Sequence, residues 1–245
     1  MRTALVNGTK SLPSPGQIGY CIYCGSQMQA KCGEINTWHW AHMNLKKCDS
    51  WWEPETEWHY EWKNHFPLKN QEVIHVDDIT GEKHIADVKT NNGIVLEFQN
   101  SSIKPIEIRS REKFYKKMLW IINGTEFKHH FTLTAKLPSP NSQKVKNCRK
   151  EYGNYGQAIV CDVLINGRYK KHLIHVVEQY LNDDNPNLFL FHWNYERKCW
   201  KGATKRKFID FGGEYLYELK KYNDELECVR LWDKDEFIDR ALNPS

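Results

Sequence analysis

Residues 83–99 read KHIADVKTNNGIVLEFQ, and this stretch predicts two β-strands joined by a short turn. Its centre is Asn91-Asn92-Gly93, a polar run ending in glycine that is typical of a hairpin loop. Apolar residues alternate with others along the second strand, which indicates that one of its faces is buried. We expect that face to consist of Ile94, Leu96 and Phe98, and the opposite face to consist of Val95, Glu97 and Gln99.

The turn also predicts which residues of the two strands lie opposite each other. If Gly93 takes the left-handed conformation at the end of a three-residue loop, Thr90 pairs with Ile94. Counting back along both strands, Asp87 then lies directly opposite Glu97. The Cβ atoms of such a pair are about 5 Å apart, and two negative charges at that distance repel each other.

A divalent cation between these two carboxylates would remove the repulsion. Carboxylate oxygens suit Mg²⁺ or Mn²⁺, which retain several of their waters. Such an ion polarises a phosphoryl oxygen and lowers the pKa of a bound water. Gln99 is expected on the same strand face as Glu97, where it can hold an attacking water or a scissile phosphate. The alternative is an ordinary surface hairpin whose charges are solvated.

The residues around the hairpin predict a mixed sheet flanked by helices. In chain order we expect a helix over 51–64, strands over 72–79, 83–90 and 94–100, a helix over 105–118 and a short strand over 119–122. This order of helix, three strands, helix and strand is an α/β architecture.

Outside this core the predicted organisation is looser. Residues 1–20 are expected to be a weakly ordered lead-in, and Asn123-Gly124 to be a hairpin turn before a strand over 127–136. Residues 137–154, rich in Pro, Ser, Asn and Lys, are expected to be a connector. A helix is predicted near 157–181, followed by strands over 187–195, 206–211, 214–222 and 229–232 and a helix over 234–241.

The composition is that of a polar globular protein. Of the 245 residues, 40% are hydrophobic and 27% are charged, and the mean hydropathy is −0.73. No apolar run approaches the roughly 18 residues that a membrane-spanning helix needs, and residues 1–8 lack the apolar core of a signal peptide. We therefore expect a cytoplasmic protein without a membrane partner. A net charge of +4 permits a nucleic-acid partner but does not require one.

Four of the eight cysteines lie in the first fifth of the chain, interspersed with histidines. In a chain without a secretion signal, clustered Cys beside His indicates a metal site rather than disulfides. The CxxC and HxxH spacings suit zinc, and enough ligands are present to close a structural site. His39 is the main competitor for the histidine position, Cys32 ranks behind, and buried thiols without a metal are the alternative. The favoured ligands are Cys21, Cys24, His42 and Cys48.

The predicted first helix carries a stripe of acidic residues spaced four apart, Glu53, Glu57 and Glu61. Such a stripe is usually a solvated helix face, but it can also supply a further acid beside a cation. Lys63 lies six residues after Glu57, about 120° further around the helix at 3.6 residues per turn. Its direction relative to the sheet is therefore left open.

Together these motifs resemble the CoiA-like competence protein family of nucleases. That family is a branch of the PD-(D/E)xK phosphodiesterases, whose restriction-endonuclease-like core has the order αβββαβ, and Gln replaces the usual Lys of the last motif. Residues 200–212 resemble the family's C-terminal strands more loosely. The matching residues run in order from about 20 to 122: Cys21-x2-Cys24, His39-Trp40-Ala41-His42, Cys48, Glu55-x-Glu57-x-His59-x3-Lys63, Ala86-Asp87-Val88, Glu97-Phe98-Gln99-x-Ser101, Arg111-x3-Tyr115 and Trp120-Ile121-Ile122.

The resemblance implies roles for the acidic residues and for the glutamine. Asp87 and Glu97 would bind Mg²⁺ or Mn²⁺, and Gln99 would orient the water or the transition state. Glu57 would be the acid of the first helix and would assist the metal or the water.

The resemblance also implies roles for three further residues. Lys63 is the nearest cation to replace the missing motif lysine, since Gln contributes only a dipole to the developing phosphorane charge. Arg111 and Tyr115, one turn apart on the second helix, would contact backbone phosphates. Ordinary packing of these two side chains at the helix surface is the alternative.

The expected function is that of a metal-dependent nuclease that hydrolyses phosphodiester bonds in DNA with a Mg²⁺-activated water; RNA is not excluded. We expect an N-terminal zinc-binding module (1–50), a PD-(D/E)xK nuclease core (51–136) and a C-terminal α+β extension packed on the core (137–245). Transformation, recombination, phage defence and mobile-element functions all suit such an enzyme. The alternative is a non-catalytic, zinc-braced module that binds nucleic acid or protein, with bases stacking on Trp38, Trp40, Trp51 and Trp52.

Overall fold

The structure is a computed structural model that describes residues 1–44, 48–153, 156–180 and 187–243. Over these residues the chain forms four α-helices and seventeen β-strands, and none of these helices has the length and apolarity needed to cross a membrane. The predicted segments 1–50, 51–136 and 137–245 stay a prediction. Two compact units are present, one comprising Met1–Ile122, Cys199–Lys205 and Ile238–Ser245, the other Asn123–Lys198 and Arg206–Phe237.

The N-terminal residues form a five-stranded antiparallel sheet in the first unit. Its strands are β1 (Ala4–Val6), β2 (Thr9–Ser11), β3 (Ile18–Tyr20), β4 (Gln27–Lys31) and β5 (His39–His42), in the spatial order β2-β1-β3-β4-β5. The prediction of a weakly ordered lead-in over residues 1–20 is therefore wrong. Asn7-Gly8 has positive φ values of 51° and 78°, as the tight turn between β1 and β2 requires.

The predicted hairpin belongs to a second sheet of the first unit. In chain order the elements are α1 (Glu57–Asn64), β6 (Gln71–Val76), β7 (Lys83–Lys89), β8 (Val95–Gln99), α2 (Pro105–Tyr115) and β9 (Met118–Asn123). The pairs β6–β7 and β7–β8 are antiparallel, whereas β8 and β9 are parallel and are connected through α2. The predicted order of helix, three strands, helix and strand is thus observed.

The register of the hairpin is as predicted. Val88 pairs with Leu96 and Lys89 with Val95, so the same register places Asp87 opposite its predicted partner. Gly93 has a φ of 81°, in the left-handed region. The prediction of a single buried face is wrong, however: all five residues of β8 are buried, because this strand lies between two neighbours and is covered on both sides.

The second unit contains two antiparallel sheets. The larger consists of β10 (Phe131–Lys136), β14 (Leu188–Trp193), β15 (Arg206–Asp210), β16 (Tyr215–Tyr222) and β17 (Leu226–Asp233), in the order β10-β14-β17-β16-β15. The smaller has the order β11-β12-β13, with β11 (Val145–Gly153), β12 (Gly156–Ile165) and β13 (Arg168–Leu173). The remaining helices are α3 (Ile174–Val177) and α4 (Lys234–Leu242). The predicted strands over 187–232 and the final helix are confirmed with small shifts at their ends.

Two predictions for this region are wrong, and both involve an Asn-Gly pair. Where a helix was expected near 157–181, β12 and β13 are joined at Asn166-Gly167, whose φ values are 50° and 75°; residue 181 lies outside the described residues. Asn123-Gly124 does not make a hairpin, since Gly124 has a φ of −102° and β10 pairs with β14. A Cβ at Gly124 would lie 2.5 Å from Ile209, so close packing requires this glycine.

The connector expected over residues 137–154 is partly a strand, β11; residue 154 lies outside the described residues. A bulge between Lys146 and Arg149 interrupts its pairing with β12. Cys148, within the bulge, forms a disulfide with Cys161 of β12. This bond is not predictable from the sequence, because nothing in the spacing of the two cysteines indicates that their strands are neighbours.

Candidate functional site

A narrow cleft lies in the first unit beside β7 and β8. Six carboxylates and two basic side chains are among its lining residues, so the cleft carries an excess of negative charge that favours a bound cation. These eight residues are Asp49, Glu53, Glu55, Lys63, Glu72, Asp87, Glu97 and Arg111.

Asp87 and Glu97 meet in this cleft, and each is held by the backbone of the opposite strand. The backbone N–H of Asp87 donates to Glu97 Oε1 over 3.3 Å, and that of Phe98 donates to Asp87 Oδ2 over 2.9 Å. The Glu97 side chain is only 4% exposed, against 24% for Asp87. Burial and the charge of Asp87 raise the pKa of Glu97 to about 8, against the opposing effect of Arg111.

Lys63, whose direction the sequence left open, points into the cleft. Its side chain is 1% exposed and forms ion pairs with three carboxylates: it contacts Glu55, and its Nζ lies 3.1 Å from Asp87 Oδ1 and 3.5 Å from Glu72 Oε1. Burial disfavours the charge on Lys63, but the three carboxylates raise its pKa well above the ordinary value. The cleft therefore holds a permanent cation beside Asp87.

Glu57, the expected acid of the first helix, is exposed and does not line the cleft. The acids that do so are Glu53 and Glu55, from the segment before the helix, and Glu72 of β6. The expected stripe fails because α1 begins only at Glu57, so helical spacing does not apply to Glu53 and Glu55. Glu55 could have been found from its place in the family-like motif; Glu72 gave no sequence signal.

Glu72 is held in place by the N-terminal segment. Its backbone has a φ of 44°, which is uncommon for a residue other than glycine. Its carboxylate accepts hydrogen bonds from the backbone N–H groups of Arg2 and Thr3, each over 2.7 Å. This arrangement positions a buried carboxylate within reach of Lys63.

Gln99 also lies in the cleft, where its side-chain nitrogen has several hydrogen-bond acceptors nearby. The residue is 2% exposed. Its Nε2 donates to Ser101 Oγ over 3.1 Å and lies 3.4 Å from both carboxylate oxygens of Glu53. An amide in this position supplies a dipole but no charge to the site.

His59 is a residue of the site that the sequence analysis assigned no role. Its Nδ1 accepts a hydrogen bond from the backbone N–H of Thr56 over 3.1 Å, which caps the start of α1. Its Nε2 donates to the carbonyl oxygen of Phe98 over 3.0 Å. His59 therefore ties the first turn of α1 to β8, between Glu97 and Gln99. A polar residue three positions after Thr56 is the sequence signal for such a cap.

Arg111 and Tyr115 are both buried, at 5% and 2% exposure, and so are not presented for phosphate contact at an open surface. Arg111 lines the cleft, where its Nη1 lies 3.1 Å from Glu97 Oε2 and its Nη2 lies 2.5 Å from Glu107 Oε1. Tyr115 does not line the cleft, and its hydroxyl has no hydrogen-bond partner within the described part of the chain. The predicted phosphate contacts of both stay a prediction.

The four expected tryptophans differ in exposure. Trp40 is 1% exposed, and Trp51 stacks on His84 with ring centroids 3.4 Å apart. Trp38 and Trp52 are 47% and 49% exposed. Only the latter two present a ring to solvent, so a platform of four tryptophans for single-stranded bases is not formed.

A separate cluster of three cysteines and one histidine lies in the same unit. Cys21, Cys24, His42 and Cys48 each offer a ligand atom, and these atoms lie within 4.8 Å of one another. Hydrogen bonds from Ser26 and His42, opposed by burial, lower the pKa of Cys24 to about 6, whereas burial raises the pKa of Cys21 and Cys48. Sulfur and nitrogen donors in this number suit zinc, so the cluster can hold such a metal.

His39 and Cys32 are not part of this cluster. His39 Nδ1 lies 2.9 Å from the carbonyl oxygen of Thr37 instead. His39 and His42 are three residues apart in β5, so their side chains point to opposite faces of the sheet. Of the two histidines that the sequence left in competition, the structure brings only His42 to the cysteines.

Two matches to known families agree with this architecture. Residues 78–155 match the nuclease-like domain of competence protein CoiA, and residues 17–50 match the N-terminal domain of competence protein CoiA. The first range includes Asp87, Glu97 and Gln99 on β7 and β8, and the second includes all four cluster residues. The chain is therefore a sheet-rich α/β protein with a nuclease-like domain and a candidate metal cluster.

The two matched domains occur in this chain in the order given by their names, and together they support a likeness to the CoiA-like competence proteins. Neither match includes α1, with its contributions Lys63 and His59. No curated protein and no solved structure matches the chain.

Proposed function

We propose that the cleft is the active centre of a nuclease that uses Mg²⁺ or Mn²⁺ to hydrolyse phosphodiester bonds in DNA, with RNA as the second candidate substrate. The observation that carries the proposal is the meeting of Asp87 and Glu97 on adjacent strands of an acidic cleft in a nuclease-like domain. The order αβββαβ around the cleft supports a PD-(D/E)xK core.

The chemistry of the donors fits a hard divalent cation. Asp87 and Glu97 would hold the ion through carboxylate oxygens, the ligands that Mg²⁺ and Mn²⁺ prefer. When bound, such an ion supplies Lewis-acid stabilisation of phosphoryl charge and lowers the pKa of its water. The surplus of carboxylates over basic groups in the cleft supports a cation at this position rather than a bound anion.

In this proposal, Lys63 and Gln99 together have the role of the single lysine in the last PD-(D/E)xK motif. Lys63 carries the positive charge and is kept in place by Glu55, Glu72 and Asp87. Gln99 offers an amide that can orient a water or a phosphate oxygen. A fixed cation near Asp87 stabilises negative charge that develops on the phosphate, because little reorganisation is needed at the moment of reaction.

In this proposal the cluster of three cysteines and one histidine has a structural role. Asp49 follows Cys48 directly, and its carboxylate accepts a hydrogen bond from the backbone N–H of Ile85 over 2.6 Å and contacts His84 Nδ1 over 2.7 Å. A metal held by Cys48 would thereby fix the segment that braces β7, two residues before Asp87.

Removal of either carboxylate tests the proposal. Asp87→Ala and Glu97→Ala should each lower Mg²⁺-dependent cleavage at least about 1,000-fold. Each change removes a ligand of the cation and alters the balance of charge in the cleft. Cleavage is measured on gels with linear, circular and single-stranded DNA and with RNA, with and without Mg²⁺ or Mn²⁺.

Glu57→Gln is the matched control, since it removes an exposed acid outside the cleft and should leave cleavage within about twofold. Full activity of both alanine variants, with melting temperatures unchanged, would contradict the proposal. Binding of nucleic acid by the wild-type protein without any metal-dependent product would favour the non-catalytic alternative instead.

A further inference from the structure

The smaller sheet of the second unit carries an excess of positive charge. Residues 144–171 contain seven Lys or Arg and two acidic residues, an excess of five positive charges. The whole chain has an excess of only four. Without this segment the chain would therefore be slightly acidic, so the segment is a candidate for contact with a polyanion.

The pairing of β11, β12 and β13 turns this segment into a charged surface. Lys146 lies opposite Asp162, and Asp162 lies opposite Lys171, so the three share one face of the sheet. Lys146 and Lys171 are exposed on this face, whereas Val163, which points to the other face, is completely buried. The exposed face is called the outer face below.

The edge strand β13 adds basic groups on both sides. Arg168 and Lys170 lie opposite Ile165 and Val163, hence on the face turned towards the core, yet both are exposed because β13 ends the sheet. Lysine on an edge strand also prevents strands of other molecules from pairing there. One or two charges suffice for that protection, and the excess here is larger.

Only part of this charge is neutralised within the sheet. Glu151 and Asp162 form ion pairs with Arg149 and Lys171. With the described residues, the other four basic side chains of the three strands form no ion pair. They are Lys146 on the outer face, and Lys150, Arg168 and Lys170, which lie on the opposite face of the two edge strands.

Aromatic rings accompany the charges. Lys146 Nζ lies 3.6 Å from the ring centroid of Tyr169, which is 40% exposed on the outer face. Tyr152, near the end of β11, is 81% exposed. Exposed aromatic rings among unpaired cations suit nucleic acid, which offers phosphates to the cations and bases to the rings; an acidic protein offers only the charge.

We infer that the three-stranded sheet β11–β13 binds nucleic acid along its exposed edge strands, where Lys146, Lys150, Arg168 and Lys170 contact the phosphodiester backbone. The surface lies in the second unit, whereas the acidic cleft lies in the first. The inference goes beyond the nuclease proposal and rests on it only for the choice of DNA as the probe.

The test measures binding without cleavage. The full chain is titrated into fluorescein-labelled DNA of about 30 nucleotides, single- or double-stranded, without added divalent cation, and anisotropy is recorded between about 50 and 200 mM salt. The test variant combines Lys146→Gln, Lys150→Gln, Arg168→Gln and Lys170→Gln. The control variant removes four exposed lysines elsewhere, Lys31→Gln, Lys69→Gln, Lys128→Gln and Lys221→Gln.

The test variant should bind DNA at least about tenfold more weakly than the wild type, and the dependence of log K on log salt should be shallower by up to about 3 to 4 for duplex DNA. The control variant should stay within about threefold. A double variant, Arg168→Gln with Lys170→Gln, should give a smaller loss in the same direction and serves if the fourfold variant does not fold.

Equal losses in the two fourfold variants would show an effect of net charge alone and would overturn the inference. Absence of DNA binding by the wild type would also overturn it, as would displacement of DNA by polyglutamate at equal charge concentration. If the wild type binds through this sheet but never cleaves, the nuclease proposal fails and the binding surface stands. If the wild type cleaves DNA but neither variant loses affinity, the binding surface is overturned and the nuclease proposal stands.

Discussion

The Cys/His cluster and the acidic cleft lie in the same unit, but they are built in opposite ways. In the cluster, three sulfurs and one nitrogen lie within 4.8 Å of one another. In the cleft, carboxylates predominate, and each of the two central ones already has a basic partner, Lys63 for Asp87 and Arg111 for Glu97. The cluster has the donors that close around a zinc ion, whereas the cleft has the donors of an open, exchangeable site.

Charged groups therefore have different effects in the two regions. In the cluster, a bound metal would require the thiols to lose their protons, so we expect folding and metal binding to be coupled. In the cleft, Lys63 and Arg111 already pair with the two central carboxylates. Removal of metal is therefore expected to affect the stability of the first region and the activity of the second.

The largest effect should come from the cluster. Cys24→Ser removes one of four ligands, and we expect loss of bound zinc and unfolding of the N-terminal sheet, because structural zinc supplies much of the folding energy of such modules. Zinc content by elemental analysis and thermal unfolding followed by circular dichroism measure this.

Cys32→Ser is the matched control, because Cys32 lies in the same segment but outside the cluster. It should keep one equivalent of zinc and the wild-type melting temperature. Equal zinc content in the Cys24 and Cys32 variants would mean that the cluster is not the zinc site.

A smaller but still large effect is expected in the cleft. Lys63→Met leaves Glu55, Glu72 and Asp87 buried without their common cation, which should lower the free energy of unfolding by about 3–5 kcal/mol. Urea unfolding in the absence of divalent cations measures the loss. Addition of Mg²⁺ should recover part of it, since the ion would take over the balance of charge.

Lys69→Met, which removes an exposed lysine from the same part of the chain, should change the free energy of unfolding by less than about 0.5 kcal/mol. A Lys63 variant as stable as this control would show that the carboxylates of the cleft do not need the cation.

The smallest effect concerns the link between the two regions, His84 with Asp49 and Glu82. Burial lowers the pKa of His84, but hydrogen bonds to these two carboxylates raise it above the ordinary value overall. Its stabilising effect is therefore complete below the unfolded pKa of about 6.5 and is lost as the pH rises through the higher folded pKa. His84→Gln should lower the free energy of unfolding by roughly 2 kcal/mol at acidic pH and by less at alkaline pH.

Urea unfolding between about pH 5.5 and 9 checks this dependence. His129→Gln, a change at an exposed histidine, is the control and should leave the pH profile of the wild type unaltered. A His84 variant with a constant loss across this range would show that the histidine acts through packing on Trp51 rather than through its charge.

Sequence patterns over a few residues predicted the register of the hairpin correctly, because this register depends on a three-residue loop. Gly93 alone fixes how Thr90 and Ile94 meet, and the position of Asp87 follows by counting. Local rules failed at Asn123-Gly124, where the sequence is that of a hairpin but contact with Ile209 explains the glycine. They also missed Asn166-Gly167, because the residues on either side suggested a helix.

The residues around the site were predicted less completely than Asp87 and Glu97 at its centre. Glu72 reaches the cleft from β6 with a strained backbone, and no spacing in the sequence relates it to Lys63. Arg111 was expected to face phosphate, but it is buried against Glu97. Such partners depend on how α1, α2 and β6 pack against β8, and packing is not encoded in any single segment.

The order of residues along the chain was enough to give the hairpin register, the cysteine and histidine ligands up to a choice between two histidines, and the two acids at the centre of the cleft. Those features rest on contacts between residues a few positions apart, where backbone geometry leaves few alternatives. The position of His42 beside the cysteines, the inward turn of Lys63 and the presence of Glu53, Glu55 and Glu72 in the cleft emerged only in the folded chain. They depend on which distant segments share a buried space, since a charge there must find its partners nearby.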